Sequence, residues 1–176
     1  KEATPGYEDH PGVIVQAHMD MVCEKNGDVE HDFAKDPIVF EVEDDRVIAK
    51  NTTLGADDGI GVSFGLALLA DDSIKHPAIE FVCTSDEERG LQGIENFDFT
   101  QLKGDYVINV DSDDEGVVVV GCAGGPVVKV NVPIRKVPAD HKKEYYAIKI
   151  TGLRGGHSGE DIHRGRANAN RLLIRV

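Results

Sequence analysis

Six residues of this chain have side chains that could bind a divalent metal ion or transfer a proton beside one. They are His18, Asp20, Asp57, Glu87, Glu88 and Asp111. Imidazole nitrogen and carboxylate oxygen are both ligands that an ion such as zinc accepts in proteins. Two ions about 3.5–4 Å apart need a bridging group, which one carboxylate can supply. Such a site lowers the pKa of water toward neutrality, and Glu87, beside a candidate ligand, could accept the proton.

His18 and Asp20 follow the apolar segment Val13-Ile14-Val15 and are two positions apart. On an extended backbone their side chains point the same way, so the carboxylate could fix the tautomer of the imidazole. Taken alone, the pair is equally consistent with a buried histidine that has an aspartate nearby by chance.

The remaining candidates lie at the ends of predicted strands or, in the case of Asp57, in a glycine-rich turn. Strands are predicted over residues 13–20, 38–42, 46–49, 78–84, 106–110 and 117–120, and a helix over 59–70. The helix is apolar on all sides, which predicts deep burial, and its glycines at 59, 61 and 65 predict close backbone packing. Alternation of strands and helices predicts an α/β fold with a largely parallel sheet and flanking helices. Ligands of such sheets collect at the carboxyl ends of the strands.

Gly124-Gly125 predicts a hinge between two domains. We expect a catalytic domain over residues 1–123 and the start of an α+β lid or dimerisation domain over 124–176. In the second domain, 127–134 and 145–151 alternate like strands, and a helix follows the loop 152–159. The last residues continue an amphipathic pattern with no stop signal, so we expect the chain to be a piece of a longer protein.

The net charge of -13 argues against nucleic acid or an anionic membrane as the partner. No apolar run is long enough to span a membrane, and the polar first residues do not resemble a signal peptide. Cys23, Cys83 and Cys122 are odd in number and far apart, which predicts neither a disulfide framework nor a cysteine zinc site. We therefore expect a cytoplasmic protein.

Five motifs in order make the chain resemble a known family. They are His18-Met19-Asp20, Gly55-Ala56-Asp57-Asp58, Asp86-Glu87-Glu88, Asp111 and Gly155-Gly156-His157-Ser158-Gly159. Together they resemble the di-zinc exopeptidase family of aminoacylases, carnosinases, carboxypeptidase G and succinyl-diaminopimelate desuccinylase. The loop 51–61 and the run Cys122-Ala123-Gly124-Gly125 are most similar to its bacterial aminoacyl-histidine dipeptidase branch. Gly59, where most relatives have lysine, fits the same branch.

The resemblance implies a role for each motif residue. His18 and Asp111 would bind one zinc ion and Glu88 the other, with Asp57 bridging the two; Co²⁺ or Mn²⁺ could replace zinc. Asp20 would orient His18, Glu87 would be the general base, and His157 would stabilise the oxyanion. The family also has a last histidine ligand near the C-terminus of the full protein, and no position of this chain matches it.

The resemblance further implies hydrolysis of Xaa-His dipeptides such as carnosine by a homodimer, with this chain alone inactive. Two alternatives stay open: hydrolysis of N-acyl amino acids, and a non-catalytic metal-binding module. Asp58 is predicted to cap the helix that begins at Gly59. The histidines without a motif are predicted to lie on the surface: His10, His31, His76, His141 and His163.

Overall fold

The structure, a computed structural model, describes residues 1–112, 114–122, 124–125, 128–156 and 161–176. It divides into two compact units, Lys1–Ala123 and Gly124–Val176. The functions that the sequence suggests for the two units, catalysis for the first and a lid or dimerisation role for the second, stay predictions.

Eight helices and strands follow one another along the described residues, with 3₁₀ turns at Phe99–Gln101 and Ile162–Arg164. They are β1 (Val13–His18), β2 (Phe40–Glu43), β3 (Arg46–Ala49), α1 (Ala56–Ala70), β4 (Ile79–Thr84), α2 (Gln92–Glu95), β5 (Tyr106–Asn109) and α3 (Ala169–Leu173). Strands β2 and β3, which correspond to the predicted strands 38–42 and 46–49, pair as an antiparallel hairpin.

The first unit is built on a three-stranded parallel sheet in the order β4-β1-β5. Its central strand β1 is rich in β-branched residues, and Ile14, Val15 and Ala17 are buried. The register places His18 opposite Thr84 of β4, and Gln16 opposite Asn109 of β5. The predicted α/β fold with a parallel sheet is confirmed, and its central strand ends at His18.

Helix α1 packs on β1 and β4 through its small residues. A Cβ atom at Gly65 would overlap the ring of Phe81, so the helix can approach the sheet this closely only with glycine there. At Gly59 a Cβ would meet nothing within 4 Å. The predicted close packing is therefore right for Gly65 and wrong for Gly59.

The prediction that α1 is buried on all sides is wrong. Ile60, Phe64 and Leu66 are 69%, 50% and 57% exposed. They lie on the helix surface turned away from the sheet, because one side of a helix suffices to cover β1 and β4.

Three further predictions of secondary structure are wrong. Residues 117–120, 128–134 and 145–151 form no strand, while residue 127 lies outside the described part of the chain. Their apolar side chains are exposed, since a strand needs a hydrogen-bonded neighbour and the described residues provide none beside them. The C-terminal helix is limited to the five residues of α3.

His76 is the one motif-free histidine that is fully buried among those described, contrary to the prediction of a surface position. Its backbone carbonyl accepts hydrogen bonds from the backbone N–H and the hydroxyl of Thr4. Its Nδ1 is 2.6 Å from the Pro77 carbonyl oxygen. The N-terminal segment thus covers this histidine.

Within the described residues, no helix combines the length and the apolar character needed to cross a membrane.

Candidate metal centre

The side chain of His18 lies at the carboxyl end of β1 and is the largest fully buried side chain described, with 1% of the residue exposed. Its Nδ1 is 3.0 Å from the backbone carbonyl oxygen of Asp20. Its Nε2 is 2.9 Å from Asp57 Oδ1 and 3.8 Å from Asp111 Oδ2. Oxygen atoms therefore face both nitrogens of the ring.

This arrangement fits a divalent cation. A neutral imidazole carries one N–H, so when Nδ1 donates to the Asp20 carbonyl, the lone pair of Nε2 faces two carboxylates. Only a proton or a cation between these groups relieves the repulsion. Ligand atoms about 2.0–2.1 Å from a tetrahedrally coordinated ion lie about 3.3 Å apart. The ligand atoms of His18, Asp57 and Asp111 all lie within 4.8 Å of one another, which is compatible with that geometry.

The ionisation of these groups reflects the concentration of negative charge. Burial opposes the imidazolium form of His18, but its hydrogen bond to Asp57 and the charge of Asp111 outweigh burial and raise its pKa. Burial, followed by the charges of Asp57 and Asp58, raises the pKa of Asp111 from its usual 3.8 to about 6. Without a cation, the site therefore retains protons more strongly than its separate residues would.

The carboxylate of Asp20 holds the turn that follows β4. Its two oxygens accept hydrogen bonds from the backbone N–H groups of Glu87 (3.1 Å) and Glu88 (3.2 Å). Burial works against the charged form, but these bonds outweigh it and lower the pKa of Asp20. The Asp20 carboxylate is 3.6 Å from His18 Nδ1, farther than the carbonyl of the same residue. In this structure Asp20 thus contacts the imidazole chiefly through its backbone.

Glu87 and Glu88 form a second group of donors with His18, whose ligand atoms again lie within 4.8 Å of one another. Burial first, and then the charges of Asp57 and Glu87, raise the pKa of Glu88. The structure thus brings both glutamates to the imidazole from the end of β4. Asp57 lies close enough for its charge to act on Glu88.

Asp58 is buried, with 3% of the residue exposed, and connects the helix to the central strand. Its Oδ1 accepts a hydrogen bond from the N–H of Gly61 at 3.0 Å, which confirms the predicted helix cap. Its Oδ2 accepts one from the backbone N–H of His18 at 3.2 Å. That second bond is not predictable from the sequence, because it depends on where α1 crosses the end of β1. The Asp57–Asp58 peptide bond is cis.

The chain is similar to known proteins in both sequence and structure. The chain is 43% identical over 175 residues to the cytosol non-specific dipeptidase of Escherichia coli (strain K12). The alignment covers 99% of this chain and 36% of that relative. The crystal structure of aminoacylhistidine dipeptidase from Vibrio alginolyticus matches with a TM-score of 0.69 and 43% identity, again over 99% of this chain and 36% of that one. The chain belongs to the family of these dipeptidases.

A second relative is less similar and covers less of the chain. The uncharacterized protein YqjE of Bacillus subtilis (strain 168) is 34% identical over 112 residues, which cover 61% of this chain and 28% of that protein. A scan against models of protein families gives no match. The chain thus spans about a third (36%) of the length of the dipeptidases that it matches over its whole extent.

In this dipeptidase-family chain, the described candidates converge from four segments. The end of β1 carries His18, with Asp20 just beyond it, and the start of α1 carries Asp57. The turn after β4 carries Glu87 and Glu88, and the segment after β5 carries Asp111. His157, the predicted oxyanion residue, lies outside the described residues.

Proposed function

We propose that this chain is the metal-binding part of a longer metallo-dipeptidase, which hydrolyses the peptide bond of dipeptides. The supporting observation is the group of donor atoms from His18, Asp57 and Asp111, in a chain that is 43% identical along 175 residues to a protein named as a dipeptidase. The identity connects the chain to peptide hydrolysis, and the donors supply the chemistry that such hydrolysis needs.

The ligand roles follow the resemblance of the motifs. His18 and Asp111 would hold one zinc ion and Glu88 a second, with Asp57 shared between them; cobalt or manganese could replace zinc. When bound, the ions polarise the scissile carbonyl and lower the pKa of water near it. Asp20 keeps Glu87 and Glu88 beside the site through its two hydrogen bonds to their backbone. His18 keeps its Nδ1 proton on the Asp20 carbonyl, which leaves Nε2 for the metal.

Glu87 is proposed as the general base. Its carboxylate accepts a proton from the attacking water and passes it to the leaving amine. It lies in the group formed with His18 and Glu88, so it reaches the same space as the ligands. His157, from the second unit, is proposed to stabilise the negative charge on the carbonyl oxygen.

The substrate class is proposed from the names of the relatives. The solved relative is named for aminoacyl-histidine, and the Escherichia coli relative is named as non-specific. We propose Xaa-His dipeptides such as carnosine as substrates. We also propose that the full-length protein acts as a homodimer in the cytoplasm, the compartment in the name of the Escherichia coli relative.

A Glu87→Gln variant of the full-length protein tests the function. We expect kcat for carnosine to fall by about 10²–10⁴-fold, because the amide cannot accept the proton. The bound zinc should stay equal to that of the unsubstituted protein. Glu95→Gln, an exposed glutamate of α2, is the control and should leave both quantities unchanged.

Three results would contradict the proposal or a part of it. Loss of zinc in Glu87→Gln would make Glu87 a ligand rather than the base. Hydrolysis of N-acetyl amino acids without hydrolysis of carnosine would replace the substrate class. If the full-length protein binds calcium through oxygen ligands alone and hydrolyses neither substrate, it is a metal-binding module.

A further inference from the structure

A chain of four hydrogen bonds crosses all three strands of the parallel sheet beneath the metal centre. The N–H of Asp111 donates to Asn109 Oδ1 at 3.2 Å, and Asn109 Nδ2 donates to Gln16 Oε1 at 2.6 Å. Gln16 Nε2 donates to Thr84 Oγ1 at 3.1 Å, and that hydroxyl donates to the carbonyl of Ala17 at 3.4 Å, the longest of the four. We call the side chains of Thr84, Gln16 and Asn109 the amide relay.

The relay is directional, because every group in it both donates and accepts. A side-chain amide is neutral and carries both an N–H donor and a carbonyl acceptor. Gln16 and Asn109 can therefore each donate to one neighbour and accept from the other. The register of the sheet makes the contacts possible, since Gln16 lies opposite Asn109 and His18 lies opposite Thr84. Gln16 and His18 are two apart on β1 and share a face.

The two ends of the relay are backbone groups beside two metal ligands. Ala17 precedes His18 directly, while Asp111 lies two residues beyond the last residue of β5. The backbone ladder between β1 and β5 extends as far as the bond from the N–H of Val110 to the carbonyl of Gln16, at 3.0 Å. Beyond that bond, the backbone N–H of Asp111 donates to the side chain of Asn109 instead of to a backbone carbonyl of β1.

We propose that Gln16 and Asn109 are positioning residues that set where the Asp111 carboxylate lies relative to the imidazole of His18. The inference rests on the proposed metal site and adds to it residues that do not touch the ion. His18 Nε2 and Asp111 Oδ2 are 3.8 Å apart, and an ion is held well only if such distances stay within a few tenths of an ångström. The relay connects the backbones of these two ligands across the sheet.

The test is metal binding by full-length protein in which the relay is cut. Gln16→Met keeps the length of the side chain and removes both of its hydrogen bonds. Asn109→Ala removes the bonds to Asp111 and Gln16 at an exposed position. We expect each variant to bind Co²⁺ about 10–100-fold more weakly than the unsubstituted protein. The visible absorption bands of bound Co²⁺ should also change, because they report the geometry of its ligands.

Two further variants separate positioning from general loss of stability. Gln101→Met removes an amide that bonds only to Asp98 on the surface among the described residues, and it should leave affinity and spectrum unchanged. Thr84→Ser keeps the hydroxyl of the relay and should retain the spectrum, whereas Thr84→Val should shift it.

The possible results are distinguishable. If the unsubstituted protein binds no Co²⁺, the proposed metal function fails, and with it the basis of the inference. If it binds Co²⁺ and both Gln16→Met and Asn109→Ala keep its affinity and spectrum, the metal site stands and the relay is overturned. If affinity falls only in proportion to a lower free energy of unfolding while the spectrum is unchanged, the relay is a stabilising contact and the positioning role is wrong.

Discussion

The imidazole of His18 has the most constrained surroundings of any described residue of the site. It is buried, its Nδ1 faces a carbonyl, and its Nε2 faces two carboxylates. Among the described residues, the other buried histidine is His76, which lies far along the chain beside the N-terminal segment and not among these carboxylates. His18 is therefore the residue on which the assignment of the metal depends most directly.

Replacing His18 by alanine tests that assignment. We expect His18→Ala to abolish binding of the first zinc ion, because two carboxylates remain where three ligands stood. Isothermal titration of the protein with zinc measures this directly. His141→Ala, an exposed histidine of the second unit, should titrate like the unsubstituted protein. Unchanged binding in His18→Ala would move the metal to other residues.

The pH dependence of stability without metal is a second prediction for the same residues. A carboxyl with a raised pKa stabilises the folded state fully below its unfolded pKa, about 4, and this contribution is lost as pH rises through the folded value. For Asp111 that folded value is about 6. The raised pKa of His18 acts in the same direction, with its contribution complete below about 6.5 and lost at higher pH.

We therefore expect the free energy of unfolding of chelator-treated protein to fall between pH 5 and pH 8. Added zinc should stabilise the protein more at pH 8 than at pH 5, since its ligands must lose protons to bind. Denaturant unfolding at the two pH values gives the comparison, and Asp111→Asn should flatten the slope of the metal-free protein. Greater metal-free stability at pH 8 would contradict the prediction.

The types of the site residues could be predicted from the sequence, but their hydrogen-bond partners could not. His18, Asp57 and Asp111 were found because ligand chemistry depends on residue type and on position after a strand. The bond from Asp58 to the His18 backbone depends on the crossing of α1 over β1, which periodicity does not reveal. The contact of Gln16 with Asn109 depends on the register of two strands that are distant in sequence.

At the scale of elements, the contact between α1 and the sheet gives a matched pair of variants. Gly65→Ala would place a methyl group in the ring of Phe81 and should destabilise the protein by about 1–3 kcal/mol through overpacking. Gly59→Ala adds the same methyl where nothing lies within 4 Å. It should be neutral or stabilise by up to about 1 kcal/mol, through better helix propensity. Denaturant unfolding of both variants measures the difference, and equal effects would contradict the close packing.

Prediction of the elements worked where local sequence and tertiary partners agree. Val13 to Val15 begin a strand because β-branched residues suit a pleated chain, and two neighbouring strands complete its hydrogen bonds. Val117 to Val120 have the same composition, yet they form no strand because the described residues provide no neighbour for them. Composition indicates that a segment can be a strand, and pairing determines whether it is one.

At the scale of the whole molecule, the chain corresponds to 36% of the dipeptidases that it matches. In the proposed assignment it would supply three ligands for one ion, and for the other Asp57 and Glu88. We therefore expect the 176 residues alone to hydrolyse no carnosine, while the full-length protein does. An assay of both at equal zinc concentration makes the comparison. Carnosine hydrolysis by the 176-residue chain that Glu87→Gln abolishes would mean that a histidine within it completes the second set.

The central position of β1 also has a consequence for the order of events during synthesis. Gln16 of the first strand meets Asn109 of the last, and these partners are 93 residues apart along the chain. Bringing together segments so distant slows folding, since the entropy of a large loop must be lost before any contact compensates for it. The ribosome must therefore release more than a hundred residues before His18 and Asp111 can meet. A nascent chain therefore carries His18 long before Asp111, and the proposed set of three ligands is complete only after translation has passed β5.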